Sequence, residues 1–123
     1  PPWPRPVPSR ARVVLDNGVS GTGGEPLVLW PEAGEVRRGP AQVHLTVTEF
    51  RLLCELAAST GRVLSRQTLL ERIWDRGFFG DDRIVDVHVR RLRTKIERDP
   101  ATPRIVVTVR GMGYRLDPQL DPQ

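Results

Sequence analysis

Between residues 83 and 95 the chain carries five cationic side chains, Arg83, Arg90, Arg91, Arg93 and Lys95, against one acidic one, Asp86. Guanidinium groups present planar forks of N–H donors that match phosphate oxygens and the acceptor edge of guanine, so the chemistry on offer is anion recognition. Interleaved with them, Val85, Val89, Leu92 and Ile96 recur at i, i+4, i+7 and i+11. At ~100° per residue those four fall in one narrow sector of a helix. The same rotation carries Arg83, Val87, Arg90, Arg91 and Thr94 to the opposite side. One edge asks for a protein core and the other for an anion. Arg93 and Lys95 flank the apolar row, where they either snorkel over the core or reach a phosphate. Asp86 stands four residues before Arg90, the spacing of an intrahelical ion pair that would orient that arginine.

Other chemistries fail on spacing. "GTGGEP" (21–26) starts like a dinucleotide fingerprint but ends in proline and follows no long apolar strand. "GVSGT" (18–22) sets Ser20 beside glycines without the G-x-S-x-G spacing or a following helix. The two histidines, His44 and His88, are too far apart in pattern to share a zinc ion, and His88 reads as a partly packed helix residue. Cys54, the only cysteine, sits among Leu52, Leu53 and Leu56 and reads as a small buried hydrophobe. The expectation is a chain with no cofactor, no metal and no enzymatic activity.

Composition bounds the partner. The 123 residues are one domain's worth, with a formal charge of +4 and a pI near 10.5. The excess of cations over anions within residues 83–95 equals the whole net charge, so the basicity is local. No apolar run approaches the ~18 residues of a membrane span. "PPWPRPVPSR" lacks the apolar stretch of a signal peptide, and a lone cysteine suits a reducing compartment, so a cytoplasmic location is expected.

The elements that must hold the cationic face can be placed by punctuation and periodicity. Five of the twelve prolines fall in the first eight residues, so 1–11 reads as a flexible linker that something normally precedes, and 118–123 as a loose tail. Residues 12–45 read as short strands, "RVVL" (12–15), "LVLW" (27–30), "EVRR" (35–38) and "QVHL" (42–45), separated by Gly and Pro. From Thr46 the period becomes helical. Thr46 with Glu49 makes a capping box, Leu45 with Phe50 a staple, Phe50, Leu53, Cys54 and Ala57 an inward face, and Gly61 a stop. A second helix starts at Ser65, with Leu64 and Leu69 as staple and Leu70, Ile73 and Trp74 inward. "DRGFFGD" (75–81) is a loop whose Phe78 and Phe79 either plug the core or face a partner. The cationic helix (82–97) ends before Pro100. "RIVVTVRGMGYRL" (104–116) then alternates through Ile105, Val107 and Val109, turns at Arg110–Gly113, and returns through Tyr114 and Leu116 as a hairpin with a cationic tip.

Helix, helix, loop, charged helix, hairpin is the order of a winged helix-turn-helix, in which the third helix enters the major groove of DNA and the hairpin reaches sideways. The groove's ~12 Å width admits such a helix, and Arg110 on a two-glycine turn suits a narrow minor groove. In "LTVTEFRLL" (45–53), "GRVLSRQTLLERIW" (61–74), "DRIVDVHVRRLRTKIE" (82–97) and "IVVTVRGMGYRL" (105–116) the chain resembles the DNA-binding effector domain of OmpR/PhoB-type response regulators. That resemblance implies an α+β fold over residues 12–117: a four-stranded antiparallel sheet (12–45), three helices (46–97) and a wing hairpin (104–117).

Position by position, the resemblance implies DNA contacts from Arg83, Arg90, Arg91, Arg93 and Thr94, with Val87 touching a thymine methyl. It further implies backbone contacts from Trp74 and Thr108, and Arg110 in the minor groove. Ile84 stands where some relatives carry a DNA-contacting hydroxyl. The loop holding Asp75, Arg76, Phe78, Phe79 and Asp81 would touch RNA polymerase. Two copies would pair head-to-tail on direct repeats of double-stranded promoter DNA, and the family's phosphorylated receiver domain is absent from this chain. The competing expectation is a winged-helix module whose main job is protein contact, with polymerase or as the regulatory tail of a larger protein. RNA binding lacks the exposed aromatic platform that base stacking needs.

Overall fold

The computed structural model describes residues 12–18, 25–74 and 81–117. The expected linker (1–11), the glycine-rich 19–24, the tail (118–123) and Asp75, Arg76, Phe78 and Phe79 of the expected polymerase loop lie outside these. The chain divides into two compact units, one reaching Val43 and one beginning at His44.

The first unit is an antiparallel meander of β1 (Val13–Asp16), β2 (Leu27–Trp30), β3 (Glu35–Arg38) and β4 (Ala41–Gln42), in that spatial order. β2 and β3 pair from Leu27↔Arg38 to Trp30↔Glu35, joined by a turn in which Gly34 takes φ +71°. Leu27 and Leu29 share a face of β2, Val36 lies across from Leu29, and all three are buried. β1 carries one extra residue between Val14 and Asp16, a bulge that breaks the alternation and buries Leu15 and Asp16 in succession. The expected fourth strand, 42–45, is shorter and earlier: only Ala41 and Gln42 pair with β3, through Arg38↔Ala41 and Arg37↔Gln42. The Val43 amide still donates to the Val36 carbonyl at 2.8 Å, after which the chain leaves the sheet to reach its first helix cap.

The second unit contains α1 (Val47–Ala58), α2 (Arg66–Ile73), α3 (Arg83–Ile96) and the hairpin of β5 (Val106–Val109) and β6 (Gly113–Leu116). α1 starts at the expected capping box: the Glu49 amide donates to Thr46 Oγ1 at 3.1 Å, and the Thr46 amide donates to Glu49 Oε1 at 2.9 Å. Ser65 Oγ likewise accepts the Thr68 amide at the head of α2. α1 packs against α2, α3 and β6.

Its buried row is Glu49, Leu52, Leu53 and Leu56, whereas Phe50, Cys54 and Ala57 are only half-buried, so the expected inward face is displaced around the helix. Two overlapping apolar stripes exist on α1, and the one containing an acid is the one buried. Its carboxylate is satisfied by the cap and by a lysine of α3. The helix ends at Ala58, before the expected stop. Gly61, at φ +83°, instead turns the chain so that its amide donates to the Leu116 carbonyl at 2.9 Å.

The apolar row of α3 is realised in full: Val85, Val89, Leu92 and Ile96 are each 0% exposed. Just past its end, the buried carboxylate of Glu97 accepts from the amides of Arg104, Ile105 and Val106, at 2.8 to 3.1 Å, and so anchors the start of β5. This knot explains a departure from strict alternation. Ile105 and Val106 are both buried, since Ile105 belongs to the turn and not the strand, while Val107 and Val109 are half-buried.

The hairpin register runs from Val106↔Leu116 to Val109↔Gly113 around Arg110–Met112. Leu64 adds a third rung by exchanging amide bonds of 2.8 and 2.9 Å with Tyr114. That close approach is why residue 113 is glycine. A Cβ there would lie 2.1 Å from the Leu64 carbonyl oxygen, and φ is +144°.

Candidate nucleic-acid interface

Opposite its buried row, α3 presents Arg83, Val87, Arg90, Arg91 and Thr94 to solvent, as its periodicity requires. Val87 is 45% exposed, an apolar side chain left at the centre of a polar face. Arg90 and Arg91 are exposed and have no ion-pair partner among the described residues. Thr94 turns its hydroxyl back to donate to the Arg90 carbonyl at 3.0 Å.

Arg83 is differently placed. Its guanidinium grips Asp81, with Nη2 2.6 Å and Nε 2.8 Å from Oδ2, while its own amide donates to Asp81 Oδ1. Bonding to Arg83 pulls the Asp81 carboxyl down to about 2. Asp82, in αR conformation, makes no side-chain cap for α3, so Asp81 serves the helix start in its place.

Arg93 is half-buried and turns toward the hairpin. It donates from Nε to the Val106 carbonyl at 2.9 Å and from Nη2 to Thr108 Oγ1 at 2.7 Å, and its guanidinium lies 5.5 Å from the centre of the Tyr114 ring. Of the two roles open to Arg93, the geometry is that of a brace between α3 and the wing, and Thr108, otherwise exposed, is one of its acceptors. Lys95 also turns to a partner within the fold. Its Nζ meets Glu49 Oε1 at 2.6 Å, so it covers the core instead of extending outward.

The expected Asp86–Arg90 pair is not formed, and this is a correction. Asp86 Oδ1 accepts from Tyr114 Oη at 2.5 Å and from Arg66 Nε at 2.9 Å, tying α3 to the wing and to α2. An acceptor offered a neutral phenol and a guanidinium from elements packed beside it has no need of a solvated neighbour one turn on. Burial first, then the bond to Asp86, pushes the Tyr114 phenol up to about 12. The same carboxylate raises the pKa of Arg66.

Trp74, half-buried at the end of α2, sets its ring edge-on against His88 with centroids 5.3 Å apart. His88 Nδ1 is 3.0 Å from the Ile84 carbonyl, which accounts for its packing. No group of three metal-ligating side chains occurs among the described residues, and none of their helices is long and apolar enough to cross a membrane.

At the wing, Arg110 stands exposed and unpaired among the described residues, beside Met112, which is 61% exposed. A shallow notch beneath this tip is lined by Arg66, Thr108, Val109, Met112 and Tyr114. The site is thus a helix face with two guanidiniums that have no ion-pair partner among the described residues, plus a third on the hairpin tip. Sequence reasoning overlooked Arg66 and Glu97. Arg66 looks like any solvated helix residue, and nothing local to Glu97 announces the three amides that fold back onto it.

A family model described as "Transcriptional regulatory protein, C terminal" matches residues 40–116. The chain is 50% identical over 113 residues to the transcriptional regulatory protein CseB of Streptomyces avermitilis, covering 92% of this chain and 45% of that protein. The chain spans about half the length, or less, of the curated relatives it matches. It is similar in structure to the Thermotoga maritima response regulator DrrB, an OmpR/PhoB homologue, with a TM-score of 0.68 and 34% identity over 74% of this chain and 41% of that one. A second similar structure is the DNA-binding domain of Klebsiella pneumoniae RstA in complex with the RstA box. There the TM-score is 0.67 and the identity 35%, over 75% of this chain and 91% of that one.

Proposed function

Because this chain belongs to the family of transcriptional regulatory protein C-terminal domains and has the OmpR/PhoB winged-helix fold, we propose that it binds double-stranded DNA sequence-specifically as the effector domain of a response regulator. The observation that carries the reading is the two-sidedness of α3: four side chains at 0% exposure hold it rigidly while Arg90 and Arg91 stand on its outer face with no ion-pair partner among the described residues. A rigid helix with free guanidiniums suits the major groove, where arginine forks meet guanine O6 and N7. Val87 offers an apolar contact to a thymine methyl, and Arg110 suits the negative potential of a narrow minor groove. On this reading Thr94 contacts the DNA and Trp74 its backbone. Arg83 reaches a phosphate by sharing or exchanging Asp81. Arg93 and Thr108 act on DNA through their mutual bond.

Wider expectations follow from the same reading. A receiver-type domain lies outside this chain, in keeping with the greater length of the relatives. The 75–81 loop meets RNA polymerase, two copies pair in tandem on direct repeats, the setting is the cytoplasm, and no catalytic role is assigned. Selection of bound duplexes from a random oligonucleotide pool tests the central claim. A recurring half-site, repeated about one helical turn apart, is the expected result. Equal retention of all duplexes would favour a protein-contact module instead.

A further inference from the structure

We propose that Asp86 and Arg93 are positioning residues that hold Tyr114, one at its hydroxyl and one over its ring, and thereby set where the wing's Arg110 meets DNA. The two lie seven residues apart on α3, two turns along one edge, roughly 10 Å in rise. Asp86 takes the phenol oxygen at 2.5 Å, while Arg93 lies over the ring and bonds the opposite strand at Val106 and Thr108. Tyr114 is in turn locked by its amide exchange with Leu64, so β6 cannot slide along its own axis. Arg66 completes the arrangement from α2 by bonding the same Asp86 oxygen.

Only three residues separate Tyr114 from Arg110 across the hairpin tip, and two of them are glycines at positive φ. The reach of Arg110 relative to Arg91 is therefore decided at Tyr114, by bonds from the very helix that carries Arg91. Asp86 is the one acid between Arg83 and Lys95, and both of its bonds run to neighbouring elements, Tyr114 of the wing and Arg66 of α2.

This inference rests on the DNA-binding reading, and a double-mutant cycle separates the two. Anisotropy titrations of a duplex selected by the wild-type chain would be made with Tyr114→Phe, Arg110→Ala and both together. Tyr114→Phe keeps the buried ring and removes only the hydroxyl. Alone it is expected to weaken binding about 3- to 10-fold, and in the Arg110→Ala background to have almost no further effect. Arg93→Met, which keeps the stem over the ring, should behave the same way.

Equal losses with and without Arg110 would overturn the proposal, since they would mean that Tyr114 or Arg93 acts on DNA directly or only through stability. Should the wild type distinguish no duplex, the DNA reading fails and the clamp is decided on the free protein. There, Tyr114→Phe is expected to speed hydrogen exchange of the Leu64 and Tyr114 amides about 5- to 10-fold. Unchanged protection would overturn the clamp whatever DNA does.

Discussion

Lys95 Nζ lies 2.6 Å from Oε1 of Glu49, a carboxylate only 1% exposed and 46 residues distant along the chain. The pair joins the last turn of α3 to the first turn of α1. Burial alone would raise the Glu49 pKa, but Lys95 and the Thr46 amide and hydroxyl outweigh it and hold the carboxyl below its ordinary value. A depressed carboxylate pKa adds stability that is fully present above the unfolded-state value of about 4.3 and is lost as pH falls through the lower folded value. Urea midpoints of wild type and Glu49→Gln, measured from neutral to acid pH, should therefore converge on the acid side. A constant gap at all pH values would exclude the linkage.

Removing the lysine is a separate test. Lys95→Met leaves an acid buried with only the cap to satisfy it, and should cost about 1–3 kcal/mol at neutral pH with an unchanged m-value. A change below ~0.5 kcal/mol would make the pair an ordinary surface bridge.

Tyr114 is the chain's only tyrosine, so its ionisation can be followed in the ultraviolet without assignment. Its phenol is pushed up to about 12 by burial and by the bond to Asp86. A raised phenol pKa means the associated stability is complete below about 10 and is lost as pH rises through about 12. Asp86→Asn should move the tyrosine midpoint downward while burial keeps it above the free value. An unmoved midpoint would show that Asp86 does not hold the hydroxyl in solution.

Gly113→Ala should be severe. The new Cβ would meet the Leu64 carbonyl at 2.1 Å in a backbone conformation that side chains rarely adopt. The expected loss is more than about 2 kcal/mol in chemical denaturation. At Gly111, by contrast, a Cβ meets nothing within 4 Å, so alanine there should cost only the strain of its positive φ. Similar losses at the two positions would contradict the three-stranded contact at the wing base.

Arg91→Ala should weaken binding to a selected duplex by about 1–3 kcal/mol and relax base preference at one position. With Arg110 kept, the salt dependence of binding should remain steep, near −0.9 in log–log slope per phosphate neutralised. Uniform weakening across all duplexes would reassign Arg91 from base reading to phosphate contact.

Some of this was legible before any coordinates. Thr46 with Glu49, Ser65 as the cap of the second helix, and the Val85–Ile96 row are features set within three to eleven residues. Within that range a helix dictates its own geometry, so residue type and spacing suffice. Asp86 marks where that logic fails. Its i+4 neighbour Arg90 satisfies the local rule, yet Arg66 and Tyr114, 20 and 28 residues away, take the carboxylate because α2 and the wing strand bring them to it. The inward face of α1 went astray for a related reason. Two apolar stripes overlap on that helix, and the choice between them rests on Lys95 from α3 reaching Glu49.

The sequence by itself determined the elements, their order, the basic helix and the buried edge that makes its outer face rigid, because each follows from local backbone preference and periodic burial. Only the tertiary structure decided which cations remain free. Seven arginine or lysine candidates look alike along the chain, but Arg66, Arg93 and Lys95 meet partners contributed by other segments, Arg83 grips Asp81 two residues away, and Arg90, Arg91 and Arg110 meet no acidic partner among the described residues. An ion pair forms when folding places opposite charges within a few ångströms, and that distance is not a property of either residue alone.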